Sequence, residues 1–304
     1  MKSFNHSDVA ILNGFGRSLG DSVIGLQALK LAIEAGVIPP HPVLFRLPDS
    51  STLIPELYYA ARDFAAVRTL PWADETPGPP PAAAADFSRV IDLRDFAFDP
   101  SFRGVAMIDF FLSRLGLDPA EVESGRKRNS WLAPRAQRRQ DAAASGYVLV
   151  CPTASMELRR MPTAIHDATM AWLQSRSGRM VLSQSALPRE SSLAGLCGLV
   201  ASAGLIVTTD TGMVHLADAF SVPCLAFFTT HRPEWRARDY PLCHAVYLQA
   251  SSLPPALEFA RVDEDIEGVR AAWFPHGGDF AWLTSALEEA VAMAETKIKP
   301  VHRS

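Results

Sequence analysis

Short apolar runs alternate with helix-period patterns twice along this 304-residue chain, and that alternation restricts the fold more than any other feature of the sequence. In the first half, Val9-Ala10-Ile11-Leu12 reads as a strand; a glycine-bearing turn comes next, then a helical pattern from Asp21 to Ala35 that Gly36 stops. Strands are expected at 43–45, 67–70 and 90–93, with helices around 53–64 and 105–115. The run Pro77-Gly78-Pro79-Pro80-Pro81 can feed neither a helix nor a ladder and is expected as a surface loop. The second half repeats the pattern. Strands are expected at 147–151, 180–182, 205–208, 224–228 and 245–248, and helices at 163–175, at 191–203 and up to Ala219. A closing helix at 279–295 would have Asp279 as its cap. Two successive βα runs predict an α/β protein with two parallel sheets covered by helices and a cleft between them. Ligands then sit beyond the carboxyl ends of the strands.

The length suits two domains, expected at 1–135 and 146–304 with 136–145 as a linker. The stretch from Glu121 to Gly146 carries Arg126-Lys127-Arg128, Arg135 and Arg138-Arg139, and reads as a solvated interdomain connection. The balance of 29 basic and 33 acidic residues gives −4, so nothing favours nucleic acid as a partner. No apolar run reaches membrane-spanning length and the start is polar, which makes a cytoplasmic protein the default expectation. Cys151, Cys197, Cys224 and Cys243 lack paired spacing and read as small buried hydrophobes, so no metal site is expected.

Three turns at strand ends carry chemistry. Thr208-Thr209-Asp210-Thr211-Gly212-Met213-Val214-His215 succeeds an apolar strand and opens a helix, an arrangement suited to holding phosphate. The plain alternative is a capped helix start, with Asp210 or Thr211 as cap. In Gly14-Phe15-Gly16-Arg17-Ser18-Leu19-Gly20-Asp21 the glycine spacing departs from the dinucleotide fingerprint, which ranks a nicotinamide-dependent oxidoreductase last. Asp21 reads equally as an N-cap or as a general base on a rigid helix start. The loop from Thr153-Ala154-Ser155 to Arg159-Arg160-Met161-Pro162 places small hydroxyl residues and two arginines after a strand, where a guanidinium fork can clamp phosphate. The segment 229–241 interleaves arginines with Trp235 and Tyr240 just past another strand end, and suits recognition of a sugar, a base or a phosphate.

Together these segments resemble the bacterial family 9 glycosyltransferases, the group that includes the ADP-heptose:lipopolysaccharide heptosyltransferases. The matching pieces are Ser18-Leu19-Gly20-Asp21, Ala154-Ser155 through Arg160-Met161-Pro162, and Asp210-Thr211-Gly212-Met213-Val214-His215-Leu216-Ala217 with Ala219 and Pro223. The resemblance implies the GT-B fold of two Rossmann-like domains, with the donor held by the second. It implies an inverting, metal-independent sugar transfer from a nucleotide-diphosphate sugar, with ADP-heptose the expected donor, to a hydroxyl acceptor on a glycan, glycolipid or small molecule. No cofactor is implied. Peripheral association with the inner membrane is compatible with a lipid-borne acceptor. By position, Asp21 matches the catalytic base, flanked by Ser18 and Gly20 on the acceptor side. Arg159 or, by preference, Arg160 matches the residue that steadies the diphosphate. Asp210 matches a contact to donor-sugar hydroxyls; Thr211, Gly212, Met213 and His215 border the diphosphate, and Glu190 takes a ribose hydroxyl. Where the family's first helix usually has a proline, this chain has Gly25-Leu26-Gln27. The competing readings are a non-hydrolysing nucleotide-sugar epimerase and a non-catalytic nucleotide-binding homologue.

Overall fold

The computed structural model describes residues 8–47, 53–135, 146–249, 253, 260 and 262–298. The chain divides into two compact units, one of residues 1–134 with 191–193, the other of 135–190 with 194–304. The linker expected at 136–145 lies outside the described residues.

The first unit is a parallel sheet of β1 (Val9–Leu12), β2 (Val43–Arg46), β3 (Ala66–Thr69) and β4 (Arg89–Asp92) in the order β3-β2-β1-β4. Its helices are α1 (Leu19–Glu34), α2 (Leu53–Ala60) and α3 (Met107–Leu115). Every residue of β1 and β2 is buried, as strands covered on both faces must be. The strand order reverses at β1, so the turns after β1 and β4 meet at a topological switch point. Phe15, in the turn after β1, fits where α1 carries Gly25: a Cβ there would lie 2.0 Å from the Phe15 ring. The same ring meets Phe111 of α3 edge to face at 5.1 Å. A glycine at this point of α1 therefore lets the turn fold back on its own helix.

The basic stretch after Glu121 is not a solvated connection up to Arg135. Arg126 pairs with Glu34 at 2.8 Å, and Lys127, 7% exposed, pairs with Asp109 of α3 at 2.7 Å. Trp131 Nε1 donates to Val23 O at 2.9 Å, and the Gln27 side chain bonds the backbone of both Arg126 and Trp131. Of these charges Lys127 is buried against a carboxylate of α3, while Arg126 stays half exposed beside Glu34 of α1.

The second unit is a parallel sheet of β5 (Tyr147–Cys151), β6 (Val181–Ser183), β7 (Ala203–Thr209), β8 (Cys224–Phe228) and β9 (Cys243–Tyr247) in the order β6-β5-β7-β8-β9. Its helices are α4 (Thr163–Arg176), α5 (Leu193–Ala201), α6 (Gly212–Ala219), α7 (Glu234–Ala237), α8 (Asp263–Ala272) and α9 (Ala281–Ile298). Leu283, Leu287, Ala290 and Ala294 repeat at helical spacing and bury one side of α9 against Val207, Leu225 and Phe227. Asp279 Oδ1 accepts from Ala281 N at 2.9 Å, so the expected cap is present although α9 begins two residues later than its pattern suggests. The sequence pattern contains no clear helix at α8, whose first turn is acidic; Val269, 3% exposed, packs there with Leu158. The reversal in strand order falls between β5 and β7, so both phosphate-suited loops of this unit leave the sheet at its switch point.

Candidate functional site

In the first unit, α1 begins at Leu19, not at Asp21. Ser18 is the N-cap, in extended conformation, and its Oγ accepts from Asp21 N at 3.1 Å. The reading of Asp21 as the cap is thereby corrected: the carboxylate sits in the first turn and is not used to close the helix. The turn approaches it closely, since a Cβ on Gly16, at φ +79°, would stand 3.3 Å from Asp21 Oδ2. Gly16 thus supplies both a left-handed backbone and the room for that carboxylate. Arg46 of β2, 5% exposed, braces the turn by donating from Nη2 to Gly16 O at 2.9 Å, and its guanidinium lies 3.8 Å from the Tyr58 ring centre. Tyr58 Oη in turn accepts from Phe15 N at 3.3 Å. Gly20 is buried and Ser18 exposed.

In the second unit the loops after β5, β7 and β8 converge. Asp210 directly follows β7 and is 3% exposed, its N–H donating to Phe227 O at 3.0 Å. Around its carboxylate stand Arg159 Nε at 3.8 Å and His231 Nδ1 at 3.3 Å from Oδ2. Burial pushes the Asp210 carboxyl upward, but Arg159, His231 and Arg236 together outweigh it and hold the group well below the usual carboxylate range. Thr211 caps α6 through its hydroxyl, which accepts from Met213 N at 3.3 Å and lies 3.3 Å from Thr208 Oγ1. His215, 4% exposed, shares a 2.9 Å hydrogen bond between Nδ1 and Tyr240 Oη. Burial lowers its pKa to about 4 despite the opposing pull of Asp210, with Arg236 and Arg159 adding to the shift, so the imidazole is neutral near pH 7.

The two arginines have different surroundings. Arg159 turns toward Asp210 from a short 3-10 turn, Glu157–Arg159. Arg160 is exposed, and its Nε donates to Ala154 O at 3.2 Å, which aims the fork from the loop's own backbone. Thr229 Oγ1 donates to Leu158 O at 2.9 Å and so fastens the start of the 229–241 segment to the arginine loop. That segment supplies two residues that individual sequence motifs do not single out, His231 and Arg236. The available signal is positional: β8 is β7's neighbour, so the first residues beyond its carboxyl end must lie beside Asp210. Glu190 is half-buried in the loop between β6 and α5. Cys151, Cys197 and Cys224 are buried, and burial pushes the Cys197 thiol up to about 12. Among the described residues no group of three or more His, Cys, Asp or Glu side chains is arranged to hold a metal ion.

Among solved structures the chain is similar to ADP-heptose lps heptosyltransferase II of E. coli, at 14% identity over 88% of this chain and 98% of that one, with a TM-score of 0.52. It is similar to the iron-containing dodecameric glycosyltransferase TibC of enterotoxigenic E. coli H10407, at 14% identity over 97% of this chain and 77% of that one, with a TM-score of 0.57. A family 9 glycosyl transferase of Veillonella parvula DSM 2008 is 13% identical over 95% of this chain and 96% of that one, with a TM-score of 0.53. The class is thus α/β with the GT-B fold, in which each unit is Rossmann-like. Residues 186–251 match glycosyltransferase family 9 (heptosyltransferase), a segment that includes the Asp210 turn, His231 and Tyr240. No curated protein matches the chain significantly.

Proposed function

We propose that this protein is an inverting glycosyltransferase that moves a sugar from a nucleotide-diphosphate sugar to a hydroxyl acceptor by direct displacement, with ADP-heptose as the leading donor. The observation that carries the reading is the group of Arg159, His231 and Arg236 around buried Asp210, with exposed Arg160 on the adjoining loop. This end of the sheet holds more cationic than anionic character and borders the N-terminus of α6, which suits a diphosphate.

In the proposed reaction Asp21 accepts the proton of the acceptor hydroxyl as its oxygen bonds to the anomeric carbon. The bond from that carbon to the diphosphate oxygen breaks on the opposite face, so the configuration inverts. Negative charge grows on the departing diphosphate, where Arg160 and the backbone at Thr211 and Gly212 stabilise it without a metal or another cofactor. Arg159 acts differently: paired with Asp210, it fixes the β7–α6 turn against the arginine loop. We further propose a cytoplasmic enzyme that meets a lipid-borne acceptor at the membrane surface; among the described residues no helix is long and apolar enough to cross a membrane.

The test is calorimetric titration with ADP, UDP, GDP and their sugar conjugates in EDTA, then measurement of nucleotide release with candidate acceptors. Saturable binding of ADP and ADP-heptose, weakened at least tenfold by Arg160→Ala, is the expected result. Absence of binding to every nucleotide overturns the reading. Product formed from a UDP-sugar without an acceptor replaces it with an epimerase.

A further inference from the structure

Cys224 opens β8 and Cys243 opens β9, and the two are partners in the register of these parallel strands. Side chains at partnered positions leave a sheet on the same face, so the thiols are neighbours across one strand spacing of about 4.8 Å. Cα atoms that far apart lie inside the range of about 4.4–6.8 Å that a disulfide spans. The sulfurs meet, and a hydrogen bond joins the two side chains. The backbone is fastened beside them: Cys224 N donates to Leu242 O at 2.8 Å, and Cys243 N to Tyr240 O at 3.1 Å. Cys151 is no rival for either thiol. Its strand β5 is separated from β8 by β7, and two strand spacings, about 9.6 Å, exceed the reach of the bond.

The two thiols differ in a way that suits stepwise oxidation. Cys224 is 1% exposed; its hydrogen bond to Cys243, together with burial, pushes its thiol up, so it keeps the proton and donates it to the Cys243 sulfur. Cys243, expected from sequence as a small buried hydrophobe, is instead partly exposed. It belongs to β9, an edge strand of the sheet whose five residues are all only partly buried, where an oxidant can arrive from solvent. The chain between the two cysteines contains β8 and the segment with His231, Arg236 and Tyr240. A bond between Cys224 and Cys243 closes that stretch at both of its ends.

We infer that Cys224 and Cys243 are an oxidisable pair that hydrogen peroxide converts to a disulfide, stapling the edge strand β9 to β8. Cys243 Sγ, having given up its proton, attacks one peroxide oxygen. The O–O bond breaks, the sulfur becomes a sulfenic acid, and the departing hydroxide takes up the proton as water. Cys224 Sγ then attacks the Cys243 sulfur; the S–O bond breaks, and the hydroxyl leaves with the Cys224 proton as a second water. Two thiols thus lose two electrons and two protons, and the peroxide is reduced to two waters. The pair goes beyond the transferase reading and does not require it.

The experiment is peptide mapping of the reduced, desalted full chain after treatment with a few equivalents of hydrogen peroxide. The expected product has lost two hydrogens, yields one cross-linked Cys224–Cys243 peptide and keeps Cys151 and Cys197 as free thiols. Its unfolding midpoint should rise by about 5 °C, because the link constrains the unfolded chain, and dithiothreitol should reverse the shift. Phenylarsine oxide, whose arsenic bonds two neighbouring sulfurs with release of water, should bind one equivalent in the untreated chain and none in Cys224→Ala or Cys243→Ser. The map and the arsenical stoichiometry are both read on the wild-type chain, so neither depends on how a variant folds. Cys243 carried to a sulfinic acid beside a free Cys224, two chains joined through Cys243, a link to Cys151 or Cys197, or no loss of thiol overturns the pair. A Cys224–Cys243 bond that leaves the midpoint unchanged or lower overturns the staple.

Discussion

Ser18 Oγ accepts the backbone N–H of Asp21 at 3.1 Å, so the cap of α1 and the carboxylate proposed as base are separate residues one turn apart. Their contributions can be measured separately. Asp21→Asn removes a basic oxygen without touching the cap; turnover should fall by about a hundredfold or more while thermal stability and ADP affinity stay near wild type. Ser18→Ala should do the reverse, costing about 1 kcal/mol of stability by urea denaturation while the carboxylate remains. Equal losses of stability in both variants would show that Asp21 serves the helix.

Arg159 and Arg160 should separate in the same way. Removing Arg159 leaves Asp210 buried with less compensation, which costs about 3 kcal/mol. Arg159→Leu is therefore expected to lower the unfolding midpoint markedly. Arg160→Ala takes away an exposed group and should leave that midpoint unchanged while weakening ADP. Calorimetry and thermal melts on the two single variants decide whether the roles are assigned correctly or exchanged.

The neutral His215 predicts a particular pH dependence. Its folded pKa, about 4, lies below the ordinary 6.5, so the unfolded chain binds a proton first as pH falls. The contribution of the neutral, buried imidazole is complete above pH 6.5 and is lost progressively between 6.5 and 4, by up to roughly 3 kcal/mol. The depressed carboxyl of Asp210 acts in a lower window: its contribution is present above its ordinary pKa of 3.8 and disappears as pH falls further. Urea titrations at closely spaced pH should show the upper slope in the wild type and not in His215→Asn.

Gly25→Ala tests the turn that carries Asp21. A methyl 2.0 Å from Phe15 cannot be accommodated without moving the ring, and overpacking of this kind costs about 1–3 kcal/mol. The Phe15 displacement should also disturb the Tyr58 contact and with it the Asp21 turn, so activity should fall together with stability. Combining Gly25→Ala with Phe15→Leu should recover part of the lost stability, a coupling read from the double-mutant cycle.

Much of this architecture was legible because local signals agreed with the fold. Strands such as Tyr147–Cys151 and Cys224–Phe228 are uninterrupted apolar runs with turn residues on either side, and the structure has them at those bounds. The capped start of α6 was legible as Asp210 or Thr211, and the structure gives the cap to Thr211. The basic run at 126–128 was misleading, because a Lys or Arg looks solvated in sequence until a partner such as Asp109, far away along the chain, is known. The acidic opening of α8 hid a helix whose support comes from Leu158, on a distant loop.

The sequence by itself determined the alternation of strands and helices, the parallel sheets and the three turns at which chemistry could occur. Periodicity and turn chemistry are properties of neighbouring residues and need no partner. Only the tertiary structure decided what each turn residue does. It set Arg159 against Asp210 and left Arg160 exposed, brought His231 and Arg236 to the same carboxylate, and gave the cap of α1 to Ser18 instead of Asp21. It also set Cys224 and Cys243 side by side on neighbouring strands. Those assignments depend on strand order, because parallel packing places side by side the ends of strands that lie tens of residues apart in the chain.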